Sequence, residues 1–491
     1  MLTVRHLALF TVLLVTAAPV VAAEKPNVLF IVADDLRTDL GCYGSAAKTP
    51  NLDALAARGV RFDRAYCQQA LCNPSRSSFL TGRRPDTLHL WVNGTHFREK
   101  NPDVITLPQW FKENGYETRC VGKIFHNWHT KEKGDRRSWS ADEFLHYANH
   151  GDDKPEVKGE LPPNLALPIG RDYGNGPMCE RRDVPDEAYY DGRIAAEAVR
   201  VLGEVKDRLF FLAVGFWKPH APFNAPKTYW DRYDPKQLPP LNPARPKGAP
   251  EWAFHDSREI LGIPPKQLTP TAAQVAEMRH GYFANISYMD AQVGKVLKAL
   301  DDHKLSGRTV VVFISDHGYH IGEHGLWAKT SCFEFDAHVP LIIAAPGLKT
   351  AGRATPALAE LVDLFPTLTD LCGLGTPPGL EGISLAPVLA DPSKSVKAAV
   401  FTQHPRPAYP DRTPTGIPDA MGYSVRTTVG RYTEWRDWTT GRLLGAEYYD
   451  HTRDPDELMN RLDDANGSAA LMAARDALYA QFPPNTPPSK R

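Results

Sequence analysis

The sequence predicts an α/β protein: a large, mostly parallel sheet flanked by helices, followed by a smaller α+β subdomain at the carboxyl end. Three observations predict it. Nearly continuous apolar runs of strand length recur at residues 27–33 (NVLFIVA), 209–216 (LFFLAVGF), 309–315 (TVVVFIS) and 341–345, and runs without polar alternation mark strands buried on both faces. Helical stretches separate them, above all a long one over 272–301, and strands alternating with helices build parallel sheets. Acidic residues follow two of the runs at once, Asp34-Asp35 and Asp316-His317. Ligands of such sheets bind beyond the carboxyl ends of the strands, so the two acidic ends are expected to converge.

The remaining elements follow from local signals. A helix is expected over 50–58, with Thr49 as N-cap, Pro50 at the first helical position and Gly59 as the stop, and another over 107–114 between Thr106 and Gly115. A strand-like run covers 118–121 and a helix 360–372. Residues 129–185 and 235–270 are rich in Pro, Gly and charge without periodicity and read as long loops over the sheet, shaping a pocket rim. After a Gly- and Pro-rich crossover at 373–395, short strands at 400–403, 423–427 and 432–435 and a helix at 469–481 form the carboxyl-terminal subdomain. The divisions are a signal peptide at 1–23, a catalytic domain at 24–375 and the smaller subdomain at 376–491.

The leader rests on Arg5 and His6, an apolar run over 7–15 and the small-residue site Val21-Ala22-Ala23. Its apolar core is shorter than the ~20 residues a spanning helix needs, so the mature chain is expected to have no membrane span. Export places it in a periplasmic, extracellular or lysosome-like compartment. The 491 residues, 42% of them hydrophobic and 23% charged, suit a folded chain with a sizeable core. Lys and Arg total 57 against 58 Asp and Glu, which leaves no global field for nucleic acid, so any polyanion must be held by a local pocket. Seven cysteines lie scattered without metal-ligand spacing. An exported chain can form disulfides, and the odd count leaves at least one cysteine over.

The segment Cys72-Asn73-Pro74-Ser75-Arg76, continuing SSFLTGRRPDT to Thr87, resembles the signature C-x-P-S-R with its T-G-R element in the sulfatase branch of the alkaline-phosphatase superfamily. That resemblance implies that Cys72 is oxidised to formylglycine by a formylglycine-generating or anaerobic sulfatase-maturing enzyme. The chemistry is coherent: an aldehyde hydrates to a diol, one hydroxyl attacks sulfur, and the other expels sulfate by collapsing back. The substrate's negative oxygens must be masked, and a cation ringed by carboxylates does so. Asp34, Asp35 and Asp316 with the Cys72 loop make an oxygen-rich site that suits calcium, with magnesium still open. Ser315-Asp316-His317-Gly318 with Gly322-Glu323-His324-Gly325 resembles the family's second metal element, which implies Asp34, Asp35, Cys72, Asp316 and His317 as ligands of one ion.

Cationic groups occur where the family places them. Arg76 lies four residues after Cys72, on the same face of a helix opening there. Lys123 and His126, three apart in GKIFH, resemble the G-K-x-x-H element. The likeness implies that Lys123 contacts sulfate and that His126 takes the diol proton, as an imidazole titrating near neutrality can. Lys218-Pro219-His220-Ala221-Pro222-Phe223 resembles the K-P-H-x-P-F element, so His220 is a sulfate contact or the acid for the leaving alcohol, and Lys329 resembles the lysine bridging sulfate and leaving oxygen.

Three features resemble the iduronate-2-sulfatases in particular: TGRRPDT, GEHGLWAK at 322–329, and the pair QHPRP at 403–407 with MGYSVRT at 421–427. They imply a sulfated saccharide substrate carrying a 2-O-sulfated uronic acid. Tyr319 and His320 depart from the family's Trp, and Cys332 and Glu334 also depart; these four are expected to line or support the sugar pocket. Arg83, Arg84, His320, His324 and Arg406 are the candidates to meet a uronate carboxylate. Other sulfated sugars, phosphodiesters or phosphonates, and a glycan-binding protein without turnover remain the alternatives.

Overall fold

The computed structural model describes residues 25–126, 132–144, 179–262, 267 and 269–490. The expected leader and most of the loop over 129–185 lie outside the described residues.

Seven strands form the main sheet: β1 (Asn27–Asp34), β2 (Val60–Tyr66), β3 (Glu117–Gly122), β5 (Phe210–Pro219), β7 (Thr309–Ser315), β10 (His338–Ala344) and β11 (Arg353–Glu360), in the order β11-β2-β10-β7-β1-β5-β3. Two short ribbons accompany it, β4 (Cys179–Arg182) with β6 (Phe223–Pro226), and β8 (His320–Ile321) with β9 (Trp327–Ala328). Six main strands run one way, and β10 opposes its neighbours β7 and β2. The run at 341–345 is thus a buried strand as read, but a reversed one.

The apolar runs are continuous because both faces are covered. Along β1, Leu29, Ile31 and Ala33 enter one core, whereas Val28, Phe30 and Val32 enter the other. The first core packs on helices Pro50–Arg58, Tyr190–Val205 and Ala272–Asp302; the second takes Phe79 and Leu80 of helix Cys72–Thr81 and Leu364, Phe365 and Leu368 of helix Leu364–Leu371. Burying such side chains contributes roughly 1.5–3 kcal/mol each. The long helix opens on a reciprocal cap, Thr271 accepting from Gln274 N–H and the Gln274 side chain accepting in return. Thr49, by contrast, does not cap its helix, because its hydroxyl accepts from Gly41 N–H (2.8 Å) and donates to Asp53 (3.0 Å). Within 235–270 the chain makes short helical turns at Pro235–Gln237, Glu251–Ala253 and Arg258–Leu261.

The carboxyl-terminal sheet has four antiparallel strands where three were expected: β12 (Ala399–Arg406), β13 (Ala420–Thr427), β14 (Gly430–Asp437) and β15 (Leu443–Asp450). Helix Ala469–Gln481 covers Met421, Tyr423, Val425 and Tyr432 with Leu471, Ala474 and Leu478. β12 fastens this sheet beside Cys72: Gln403 N–H donates to Gln68 O at 2.8 Å and Thr402 Oγ1 to Cys67 O at 2.7 Å. All seven cysteines are free thiols, five of them buried, so no disulfide contributes to the fold. Among the described residues no helix is long and apolar enough to cross a membrane.

Candidate active site

Parallel register brings the two acidic strand ends together. Ala33 pairs with Ser315, and Asp34 pairs with Pro219 on the other side, so Asp34-Asp35, Asp316-His317 and residues 218–220 emerge at one end of the sheet. Asp35 adopts a left-handed conformation (φ 64°) that Asp tolerates better than most residues. Cys72 begins helix Cys72–Thr81, all ten residues of which are buried. One turn later, Arg76 Nε donates to Asp316 Oδ2 at 2.8 Å, while its Nη2 lies 3.3 Å from Asp34 Oδ1 and Nη1 donates to the carbonyls of Lys123 and, at 3.1 Å, Ile124. One guanidinium therefore joins four segments. Asp316 Oδ1 also accepts from Asp35 N–H (3.3 Å) and His317 N–H (3.0 Å), which fixes that carboxylate.

The glycine ahead of Lys123 has a steric reason. A Cβ on Gly122 (φ 82°) would come within 2.2 Å of Gly215 O, and one on Gly215 within 1.9 Å of Lys123 O. This close crossing carries Lys123 to the centre, where its ammonium pairs with Asp34 Oδ2, lies 3.7 Å from Cys72 Sγ and sits 4.5 Å from the Trp217 ring centroid. Lys329 arrives between Ala328 (φ 72°) and Thr330 (φ 90°). Positive φ at a β-branched residue is strained and persists where the surroundings over-determine it. Its Nζ lies 3.0 Å from Asp35 Oδ1 and 2.5 Å from Glu259 Oε1.

Among the described residues the Cys72 thiol has three hydrogen-bonding partners: Asp34 Oδ1 at 3.6 Å, Lys123 Nζ at 3.7 Å and His317 Nε2 at 3.4 Å. His317 Nδ1 lies 3.0 Å from Gly318 O, which selects the tautomer that leaves Nε2 with its lone pair toward the thiol. His220 Nε2 lies 3.4 Å from Glu259 and 3.8 Å from Asp35, with its Nδ1 2.6 Å from Ala221 O. The structure thus joins Asp34, Asp35, Cys72, Arg76, Lys123, His220, Asp316, His317 and Lys329 in one network. His126 is buried three residues beyond Lys123 and is not among the thiol's partners.

Burial dominates the electrostatics. It pushes the Cys72 thiol well above its ordinary value, with Asp34 adding to the effect, so the encoded side chain is a neutral thiol and a poor nucleophile. Burial would raise Asp34 too, but the cations Lys123, Arg76 and Lys329 overcome it and hold Asp34 well below the usual carboxylate range. Asp35 goes the other way: burial, with Asp34, Glu259 and Asp316 nearby, outweighs Lys329 and raises it strongly. Burial also keeps His317 and His220 neutral.

Ligand atoms of Asp34, Asp35, Cys72 and His317 all lie within 4.8 Å of one another. Asp35 Oδ1 is buried and accepts no aligned hydrogen bond, although Lys329 Nζ stands 3.0 Å away. The crowded buried carboxylates of Asp34 and Asp35 fit a hard divalent cation, for which the His317 imidazole is an unusual ligand.

Of the cations considered for a uronate, Arg84 makes a two-pronged pair with Glu360 (2.8 and 2.9 Å), and His320 lies 2.6 Å from Asp336 and 3.3 Å from His324, whose other nitrogen is 2.7 Å from Asp456 O. Arg83 lies against Gly379. Arg406 differs: its hydrogen bonds run to the carbonyls of Trp252, Ala253, Thr330 and Pro405. Burial lowers it to about 10, and it borders a cavity of about 510 Å³ with His255, Asp256 and His324. The Glu334 carboxylate is held by Arg431, Arg426 and Tyr66. Cys332 packs with Phe333, Trp435 and Tyr449. Tyr319 stacks on Tyr282 beneath Lys329.

Glu259 and Tyr409 escaped the sequence reading. Both lie in stretches without periodicity or motif, and nothing local marks a lone acid in a loop as part of a site.

A sequence model of the family described as Sulfatase matches residues 26–374, and a second, N-sulphoglucosamine sulphohydrolase C-terminal, matches 322–481. The iduronate 2-sulfatase of Mus musculus is 34% identical over 92% of this chain and 94% of its own length. Among solved structures, a protein in complex with its substrate D-glucosamine-2-N,6-O-disulfate superposes with a TM-score of 0.74 at 22% identity, over 95% of this chain and 100% of the other. The phosphonate monoester hydrolase of Agrobacterium radiobacter gives 0.73 at 24% identity, over 93% and 96%. The family match and the 34% identity together show that this chain belongs to the sulfatases and is a sulfuric ester hydrolase.

Proposed function

We propose that the chain hydrolyses the 2-O-sulfate of an iduronate-type uronic acid in a sulfated glycan, with formylglycine formed from Cys72 as nucleophile and one calcium ion. The observation that carries the reaction type is the convergence of Asp34, Asp35, Cys72 and His317, with Asp316 bonded to the Asp35 N–H beside them, and two ammonium groups, Lys123 and Lys329, that both bear on residue 72. Similarity to iduronate 2-sulfatase supports the substrate.

Asp34, Asp35, Asp316, His317 and residue 72 would hold the ion, which supplies Lewis-acid masking of the ester's oxygens. Arg76 fixes the start of the residue-72 helix against Asp316. Lys123 and Lys329 approach an anion at residue 72 from β3 and β9. His126 is assigned to take the proton from residue 72, and His220 to meet the sulfate or the leaving alcohol through Nε2. The expected export, with conversion of Cys72 by a maturation enzyme, belongs to the same reading.

Release of sulfate from a uronide 2-sulfate, compared with phosphate and phosphonate esters and other sulfated sugars, tests the proposal. Dominant phosphoesterase turnover would overturn it. Calcium added to metal-stripped protein is expected to raise the melting temperature by a few degrees, since ~100 Kd of ligand stabilises by about 2.7 kcal/mol. Asp35→Asn should abolish that rise, and a rise that survives in the variant would move the ion elsewhere.

We assign the uronate carboxylate to Arg406, a guanidinium that borders the cavity of about 510 Å³ and makes its hydrogen bonds to carbonyls and to His404. Arg406→Met is expected to raise KM for the uronide at least ~10-fold, as loss of a charge-assisted contact does. An equal effect on a sulfated neutral sugar would reduce Arg406 to a structural role.

A further inference from the structure

Glu259 adds a fourth carboxylate to the site beyond the three acids assigned to the metal. The loop before it is pinned where Trp327 N–H donates to Ser257 Oγ at 3.0 Å, tying it to the strand that leads into Lys329. Helix Arg258–Leu261 then sets Glu259 Oε1 2.5 Å from Lys329 Nζ and 3.4 Å from His220 Nε2, and Oε2 accepts from Tyr409 at 2.9 Å. Lys329 is therefore held between two carboxylates, Asp35 and Glu259. The Glu259 side chain is only 12% exposed, so its charge is weakly screened.

Sulfate and phosphate monoesters share a tetrahedral shape, and cations arranged for one fit the other. Charge separates them: the sulfate monoester carries one negative charge, whereas a phosphate monoester with a second pKa of about 6 carries nearly two at neutral pH. Lys123 and Arg76 face Asp34 and Asp316 deeper in the site; Glu259 stands at the Lys329 and His220 side, where surplus charge on the ester would be felt. We infer that Glu259 is a charge filter, a positioning residue that acts through Lys329 to admit monoanionic esters and reject dianionic ones. The inference rests on the sulfate-ester reading above.

The test compares kcat/KM for a uronide 2-sulfate and the matching 2-phosphate. In Glu259→Gln, which keeps the hydrogen-bond acceptor and removes the charge, the sulfate-to-phosphate ratio is expected to fall at least ~10-fold; Glu259→Asp should keep it within about threefold. Wild-type enzyme supplies a second arm. Its relative phosphate turnover should rise as pH falls through about 6, where the phosphate ester becomes a monoanion, and this rise should flatten in Glu259→Gln. Binding to Cys72→Ala protein of a uronide-linked sulfonate and the matching phosphonate dianion, read by calorimetry, should show the same preference without turnover. A ratio unmoved by Glu259→Gln and flat with pH in the wild type overturns the filter alone. Failure of the wild type to hydrolyse the sulfate overturns the reading beneath it.

Discussion

Replacing Cys72 by Ala is expected to lower kcat/KM for the sulfate ester by ~10⁴-fold or more with the fold retained, because loss of a nucleophile removes the covalent route. Cys72→Ser should be as inactive, and this second variant is the more informative. Serine supplies a hydroxyl in nearly the same place, so activity in it would mean that an ordinary single-oxygen nucleophile suffices. Burial raises the Cys72 thiol well above its ordinary value, which makes the encoded side chain a poor nucleophile. A peptide mass at residue 72 showing an aldehyde in the active wild type completes the test, and a plain thiol in fully active protein would sink the mechanism.

The second large effect concerns Arg76. Its side chain is fully buried, and so are those of Asp34 and Asp316. Removing one partner of a buried pair leaves an uncompensated charge and costs about 3–5 kcal/mol, more than the pair itself contributes. Arg76→Met is therefore expected to lower the unfolding free energy by an amount of that order, read as a lower denaturation midpoint, besides abolishing activity. Arg76→Lys should recover little, since one ammonium cannot reach Asp34, Asp316 and the carbonyls of Lys123 and Ile124 together. An unchanged midpoint in the Met variant would show that another group offsets the two carboxylates.

These residues were legible in the sequence because their signals are local. Asp34-Asp35 and Asp316-His317 follow apolar runs whose burial on both faces fixes where each strand ends. Cys72 and Arg76 sit one helical turn apart in a single motif. The direction of β10 was not legible, since it depends on how the chain between 316 and 337 doubles back and not on the apolar content of the strand. The partners of Glu334 were hidden for a related reason: five residues from Lys329 in sequence, its side chain is claimed by Arg431 from β14. Thr49 carried a cap signal, but Gly41 and Asp53, eight and four residues away, compete for the same hydroxyl. Glu259 and Tyr409 come from segments with no periodic pattern, and only the folded chain shows that they share one hydrogen bond.

Helix Cys72–Thr81 is closed to solvent along its whole length, β12 is bonded to Cys67 and Gln68 in the segment that leads into it, and the thiol residue is 1% exposed. That sets an order of events. A separate enzyme that converts Cys72, as proposed above, would meet this helix most readily before its packing is complete. On that reading activity becomes a record of how each molecule was made: denatured and refolded wild type should regain the activity its residue-72 chemistry allowed before, and the peptide mass at residue 72 should sort active from inert molecules.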